Sequence, residues 1–274
     1  SRNIKRLEIV SWERIRDEII KSLKTDTPST AFYLMKETRL LSHVFPELDI
    51  MSGVDVIDNK GHKDVFIHTL QVVDNAAELT DKMEVRFAAL VHDIAKPRTK
   101  RFEKKKGWTF HGHDEIGQRM LKKVSQRMKL SNDLRDYLML MTKLHLRPIS
   151  LAMEGITDSA IRRVMAEACE HIDDLMMLCR ADITTKNPKK VKKYMGNFER
   201  VEMLMKDVKL RDEMREFQSP VRGEEIMEVF KLKPGREVGK IKKAIEEAIL
   251  DGVIDNEYDA AYTFMMKNKD KIIA

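Results

Sequence analysis

The stretch AALVHDIAKPRT, residues 88–99, decides the fold and points to a site. Its upstream part continues an apolar helical pattern through Val85, Ala88 and Ala89. That pattern ends on a histidine followed at once by an aspartate, His92 and Asp93. Adjacent helix positions do not face the same way. They can still reach one point at a helix end, because imidazole and carboxylate differ in reach. A carboxylate on an apolar face costs free energy unless it has a partner, so Asp93 needs a cation, a cap or a basic neighbour.

The same period runs outward in both directions. Apolar residues recur at three and four through Ile15, Ile19 and Leu23, with Ser11 as a capping candidate. Pro28 suits a first helical turn, and the pattern after it runs to Leu41, with Pro46 marking the stop. Residues 51–63 read as a loop, and Phe66 to Ala77 as a helix. Pro97 is read as the end of the helix that carries His92. Residues 98–112 form a basic loop or a short hairpin around Lys106 and Gly107. Helical patterns follow over 114–129, 132–146 and 158–182, then a polar break, TTKNPKKVKKY, then a helix over 194–215. Residues 219–274 read as a compact helical unit, with PGREVGK (234–240) as a turn and helix start. That segment lacks the spacing and the Lys-Ser/Thr pair of a phosphate loop. No βαβ alternation is visible. The fold expected is all-α.

Composition agrees. Of 274 residues only 11 are Gly and 7 Pro, and 18 are Met, which at positions such as Met139, Met141, Met176 and Met177 read as core fillers. The net charge is +6, a balance that favours a polyanionic partner. Cys169 and Cys179, in one apparent helix, form neither a zinc motif nor a disulfide framework, and a reducing cytoplasm fits. No apolar run is long enough for a membrane span. The first residues, Ser-Arg-Asn-Ile-Lys-Arg, lack Met and are no signal peptide, so a longer parent chain is expected.

Four residues sit where predicted helices can converge: His68, His92, Asp93 and Asp182. Mixed nitrogen and oxygen donors of this kind suit a divalent ion. Any one of these histidines, taken alone, also fits a packed core position. Two runs are strongly basic. Lys96 to Lys106 holds seven Lys or Arg against one Glu, and Lys186 to Lys193 holds five Lys. An RNA backbone is one partner for such runs, and a solvated loop is the other reading.

Five segments carry a resemblance: GHKDVFIHTL (61–70), AALVHDIAKPRT (88–99), FHGHDEIG (110–117), TKLHLRP (142–148) and CRADITTKNP (179–188). They resemble the HD domain of bacterial tRNA nucleotidyltransferases and poly(A) polymerases, part of the HD phosphohydrolase superfamily. VSWERIRDEIIKSL (10–23) with LLSHVFPEL (40–48) resembles the family's neck and the start of its body, and 219–256 resembles its tail. The resemblance implies an HD helical bundle at 61–190, neck and body helices at 1–60, and a tRNA-binding helical tail at 191–274. It implies His68, His92, Asp93 and Asp182 as metal ligands, with His113 and His145 as two further ones. It also implies one or two divalent ions, of Mg, Mn, Fe, Co, Ni or Zn, and metal-assisted hydrolysis of a phosphomonoester or cyclic phosphodiester. His92, Asp93 and Lys96 would carry the chemistry. Lys96, Arg98, Lys100, Arg101, Lys186, Lys189 and Lys190 would meet phosphate or RNA. Ala95 departs mildly from the family, where many relatives have Gly.

The family's nucleotide-binding polymerase head, with its Gly-Ser motif and Asp-x-Asp pair, has no counterpart in this sequence. This chain by itself is therefore not expected to add nucleotides, and the head of the same parent chain is an expected partner, beside tRNA or other RNA. A homodimer is compatible with the sequence. A tRNA-docking body with a silent metal site and a stand-alone HD nucleotidase are the alternative functions.

Overall fold

The computed structural model describes residues 4–152, 156–216 and 219–273. It is all-α apart from two short hairpins. The chain divides into two compact units, one up to Lys206 and one from Asp207 onward.

After a 3-10 helix at Ile4–Ile9, the first unit continues with α1 (Trp12–Leu23), α2 (Ser29–Glu37), α3 (Leu41–Val44) and α4 (Pro46–Asp49). Ser11 holds the cap position of α1 with extended backbone, but its side chain makes no capping hydrogen bond. The pattern read as one helix from Pro28 to Leu41 is two, because Arg39 adopts a left-handed φ of 60° between α2 and α3. Residues 51–63 are more than a loop. They contain β1 (Val56–Ile57) and β2 (Lys60–Gly61), joined through Asp58 and Asn59, both at positive φ, as a tight hairpin turn requires.

Next come α5 (Val65–Leu79) and α6 (Met83–Val91). Asp64 caps α5, accepting a hydrogen bond from the Ile67 N–H at 3.0 Å. Every residue of α6 from Val85 to Val91 is buried, so α6 is the central helix of the bundle. Helices α5 and α6 pack side by side, and both meet the helix ending at Ala181 described below. Pro97 does not end α6. It sits in the first turn of a separate α7 (Lys96–Thr99), where its missing N–H is harmless.

The basic stretch folds as β3 (Arg101–Glu103) and β4 (Gly107–Thr109), with Phe102 opposite Trp108. Gly107, at φ +83°, supplies the turn. Then follow α8 (His113–Arg127), α9 (Asn132–Leu144), α10 (Arg147–Leu151), α11 (Asp158–Ala168) and α12 (Ile172–Ala181). Ser131 and Thr157 cap α9 and α11. The pattern read as one helix over 158–182 breaks at Cys169, whose φ is 48°, so the two cysteines lie on different elements. Helix α8 crosses α9 closely at Gly117, where a Cβ would come within 2.8 Å of Thr142 Cγ2.

Arg86 ties α6 to the N-terminal helices. It is 3% exposed, and its guanidinium donates to the carbonyl oxygens of Leu23, Thr25, Ala77 and Thr80. Helix α13 (Pro188–Glu216) begins inside the segment read as a polar break, with Asn187 accepting from the Lys189 N–H at 3.0 Å.

The second unit contains α14 (Gly223–Phe230), α15 (Arg236–Leu250) and α16 (Tyr258–Ile273). Its core is Val221, Ile226, Ile241, Ile245, Ala261 and Met265. Gly235 precedes α15, so PGREVGK is a turn and helix start. Among the described residues, no helix is long and apolar enough to cross a membrane.

Candidate metal centre

Six side chains from five helices meet at helix ends. His68 lies in the first turn of α5, and His113 opens α8. His92, His145 and Asp182 are the residues directly after α6, α9 and α12. Asp93 follows His92, where the chain leaves the α-helix through the three-residue turn closed by Ile94 N–H to Val91 O.

The local sequence orients three imidazoles by one device. Nδ1 of His92, His113 and His145 each faces the carbonyl three residues back, Ala89, Phe110 and Thr142, at 2.7–2.8 Å. Two of these are C-terminal helix carbonyls left without an intrahelical donor. A carbonyl only accepts, so each Nδ1 carries the hydrogen and each Nε2 turns inward. His68 is held differently, with Nδ1 3.0 Å from Thr184 Oγ1.

The inward nitrogens surround Asp93. Oδ2 lies 3.1 Å from His92 Nε2 and 3.5 Å from His68 Nε2. Oδ1 lies 3.4 Å from His113 Nε2 and 3.8 Å from His145 Nε2. Asp182 Oδ1 is 3.0 Å from His68 Nε2 and 3.6 Å from His92 Nε2. The donors form two sets, His68–His92–Asp182 and Asp93–His113–His145, and within each set the atoms lie within 4.8 Å of one another. Asp93 touches both sets, one oxygen toward each.

His92 Nε2 and both Asp93 oxygens are buried without a hydrogen-bond partner. Lys96 Nζ approaches Asp93 Oδ2 at 2.6 Å as a counter-charge only. Buried polar atoms left without a hydrogen-bond partner are costly. A divalent cation bound by nitrogen and oxygen would satisfy all three atoms, so the residues present fit a metal. The thiol of Cys179 is no part of the donor set. It donates to the His145 carbonyl at 3.1 Å, and burial pushes its pKa well up.

The charges follow from the same packing. Burial opposes a charge on His92, but the Asp93 and Asp182 carboxylates overcome it and raise the imidazole to about 10. Burial and the positive His92 push His145 down to about 4. Burial works against charge on Asp93, yet His92 and Lys96 hold it well below the usual carboxylate range.

A cleft of about 660 Å³ opens over the cluster. His68, Asp182, Lys96 and Lys190 line it. So do Lys63, Ile149, Tyr194 and Asn197, which the sequence reading did not single out. The spacing of Lys190 and Tyr194 was the available signal, hidden because 184–194 read as a polar break. The remaining basic residues do not line it. Lys100 pairs with Asp55 and lies over the Trp108 ring, while Arg98, Arg101, Lys186 and Lys189 are solvent-facing.

Residues 65–185 match the HD domain family. Residues 1–51 match the family described as "Probable RNA and SrmB- binding site of polymerase A". The chain is similar to the Multifunctional CCA protein of Vibrio campbellii, 32% identical over 182 residues, which is 64% of this chain and 44% of the relative. That of Shewanella frigidimarina is 31% identical over 65% of this chain and 43% of its own length. That of Pseudoalteromonas atlantica is 34% identical over 64% and 44%. The chain spans less than half the length of these relatives. The chain thus carries an HD domain and an N-terminal segment of the polymerase A type, and over its HD region it is similar to bacterial multifunctional CCA proteins.

Proposed function

We propose that the chain is the RNA-binding body of a tRNA nucleotidyltransferase, of CCA-adding or poly(A) polymerase type, and that its histidine–aspartate cluster is a divalent-metal phosphohydrolase site. The observation that carries the proposal is the buried His92 Nε2 and the two Asp93 oxygens, none with a hydrogen-bond partner, beneath an open cleft. In this reading His68, His92 and Asp182 hold one ion, and Asp93, His113 and His145 share or hold a second. Any of Mg, Mn, Fe, Co, Ni or Zn is compatible with this donor set. When bound, such an ion supplies Lewis acidity and lowers the pKa of water.

The chain's own residues do the rest. The carbonyl-anchored imidazoles keep each Nε2 aimed inward. Lys96 neutralises Asp93 and stands ready to meet a phosphate oxygen. Lys63 and Lys190 add positive charge at the cleft wall. Arg98, Lys100, Arg101, Lys186 and Lys189 give a basic surface outside it, suited to RNA backbone. Residues 1–60 serve as neck and body helices, 61–190 as the HD domain, and 191–274 as the tRNA-binding tail of a cytoplasmic protein. Nucleotide addition belongs to a head that this sequence does not contain.

The test is phosphate release from 2′,3′-cyclic and 2′-phosphorylated nucleotides with each metal in turn. Turnover that His92→Ala and Asp93→Ala abolish is expected. Bound metal without turnover identifies a docking body with a silent site. Turnover together with no salt-dependent tRNA affinity identifies a stand-alone nucleotidase.

A further inference from the structure

The cleft extends past the cluster, and one of its walls is a face of α13. Lys190, Tyr194, Asn197 and Phe198 all line it. Their spacing of four, three and one places them on a single stripe of the helix. Phe198 is buried at 4% exposure and backs the wall, while Tyr194 is 41% exposed. Ile149 of α10, also lining the cleft, is 48% exposed. Large apolar groups left open beside a polar centre mark a ligand surface. The Asn197 amide makes no hydrogen bond to another described residue. It carries both a donor and an acceptor, the pattern that pairs with a base edge. The volume of about 660 Å³ far exceeds a phosphate group and lies within the range of small-molecule sites.

We propose that this face of α13 is a nucleoside subsite. Tyr194 stacks on the base of the nucleotide whose phosphate faces the cluster, and Asn197 reads an edge of that base. Lys190, one turn before Tyr194, offsets phosphate charge. The subsite selects a nucleotide end over other phosphate esters. This rests on reading the cluster as a phosphate-ester site, and the two claims separate in one experiment.

The full chain, loaded with Mn²⁺, is assayed on adenosine 2′-monophosphate and on glycerol 2-phosphate. Tyr194→Ala should lower the ratio of the two kcat/KM values about tenfold, as loss of one base–aromatic stack implies, mainly through KM. Tyr194→Phe should keep the ratio, because it keeps the ring. Asn197→Ala should change the preference between adenosine and uridine 2′-monophosphates. An unchanged ratio in Tyr194→Ala, or an equal loss on both esters, overturns the subsite. If the unaltered protein turns over neither ester, the hydrolysis reading fails alone, and calorimetric Kd values for the same two ligands decide. A tenfold relative loss of nucleotide affinity in Tyr194→Ala then supports the subsite, and an equal loss or none overturns it.

Discussion

His92 Nε2 lies 3.1 Å from Asp93 Oδ2, although neighbouring residues on an α-helix point about 100° apart. The two meet because α6 ends at Val91 and the chain tightens into a turn over Val91–Ile94, closed by the Ile94 N–H to the Val91 carbonyl. The helix end brings adjacent side chains to one point, which a continuing helix would have kept apart.

Asp93 is the residue both donor sets share, so its loss should act on both. Asp93→Asn should lower metal affinity more than about 100-fold, the upper end of the cost of losing an orienting partner. Metal content per chain, read by mass spectrometry after dialysis, should fall to the background level. His113→Gln should lose occupancy of one set only. Equal metal content in Asp93→Asn and the unaltered protein would sink the shared-carboxylate account.

Metal uptake should release protons near pH 7. His92, raised to about 10 by the carboxylates around it, is an imidazolium without metal and must lose the Nε2 proton to become a ligand. His145, pushed down to about 4, is already neutral there and releases none. Apparent affinity should therefore climb as pH rises from 6 toward 9. Titration calorimetry in buffers of different ionisation enthalpy counts the protons, and a count of zero at pH 7 would contradict the charge assignment.

Thr184→Val keeps shape but removes the oxygen that orients His68 Nδ1 at 3.0 Å. Metal affinity should fall about 10–100-fold. Thermal stability should change by less than about 1 kcal/mol, since only one hydrogen bond is lost. A large loss of stability with unchanged affinity would assign Thr184 to folding instead.

Gly117→Ala should destabilise the protein by about 1–3 kcal/mol, because the new Cβ meets Thr142 Cγ2 at 2.8 Å. Thr142→Ser removes that methyl and leaves the carbonyl that anchors His145. In the double variant most of the penalty should vanish, which denaturant unfolding of all four proteins measures.

Arg86→Met should cost at least about 2 kcal/mol. It leaves four backbone carbonyls without the guanidinium that bridges them. The midpoint of urea unfolding gives the value, and a change under about 0.5 kcal/mol would mean that water replaces the guanidinium.

Helix type and the ligand candidates were legible in the sequence because both are local. The three-and-four period marks α5, α6, α8, α9 and α12, and an aspartate after an apolar helix declares its need for a partner. Left-handed residues were not legible. Arg39 and Cys169 break helices at positive φ without being Gly or Asn, so nothing in their chemistry announces the break. The hairpin at 56–61 had a signal, Asp58-Asn59, but its strands are two residues long and exposed and show no alternation.

By itself, then, the sequence determined that the protein is helical and singled out His68, His92, Asp93 and Asp182 as polar exceptions where helices can converge, while His113 and His145 came from the resemblance. Only the tertiary structure decided that Asp93 faces both histidine pairs and that a face of α13 walls the cleft. It also decided that most of the basic residues stand outside it. Those are relations between segments far apart in the chain. They depend on how closely helices cross, as at Gly117, and packing distances of that kind are set by all the contacting side chains together.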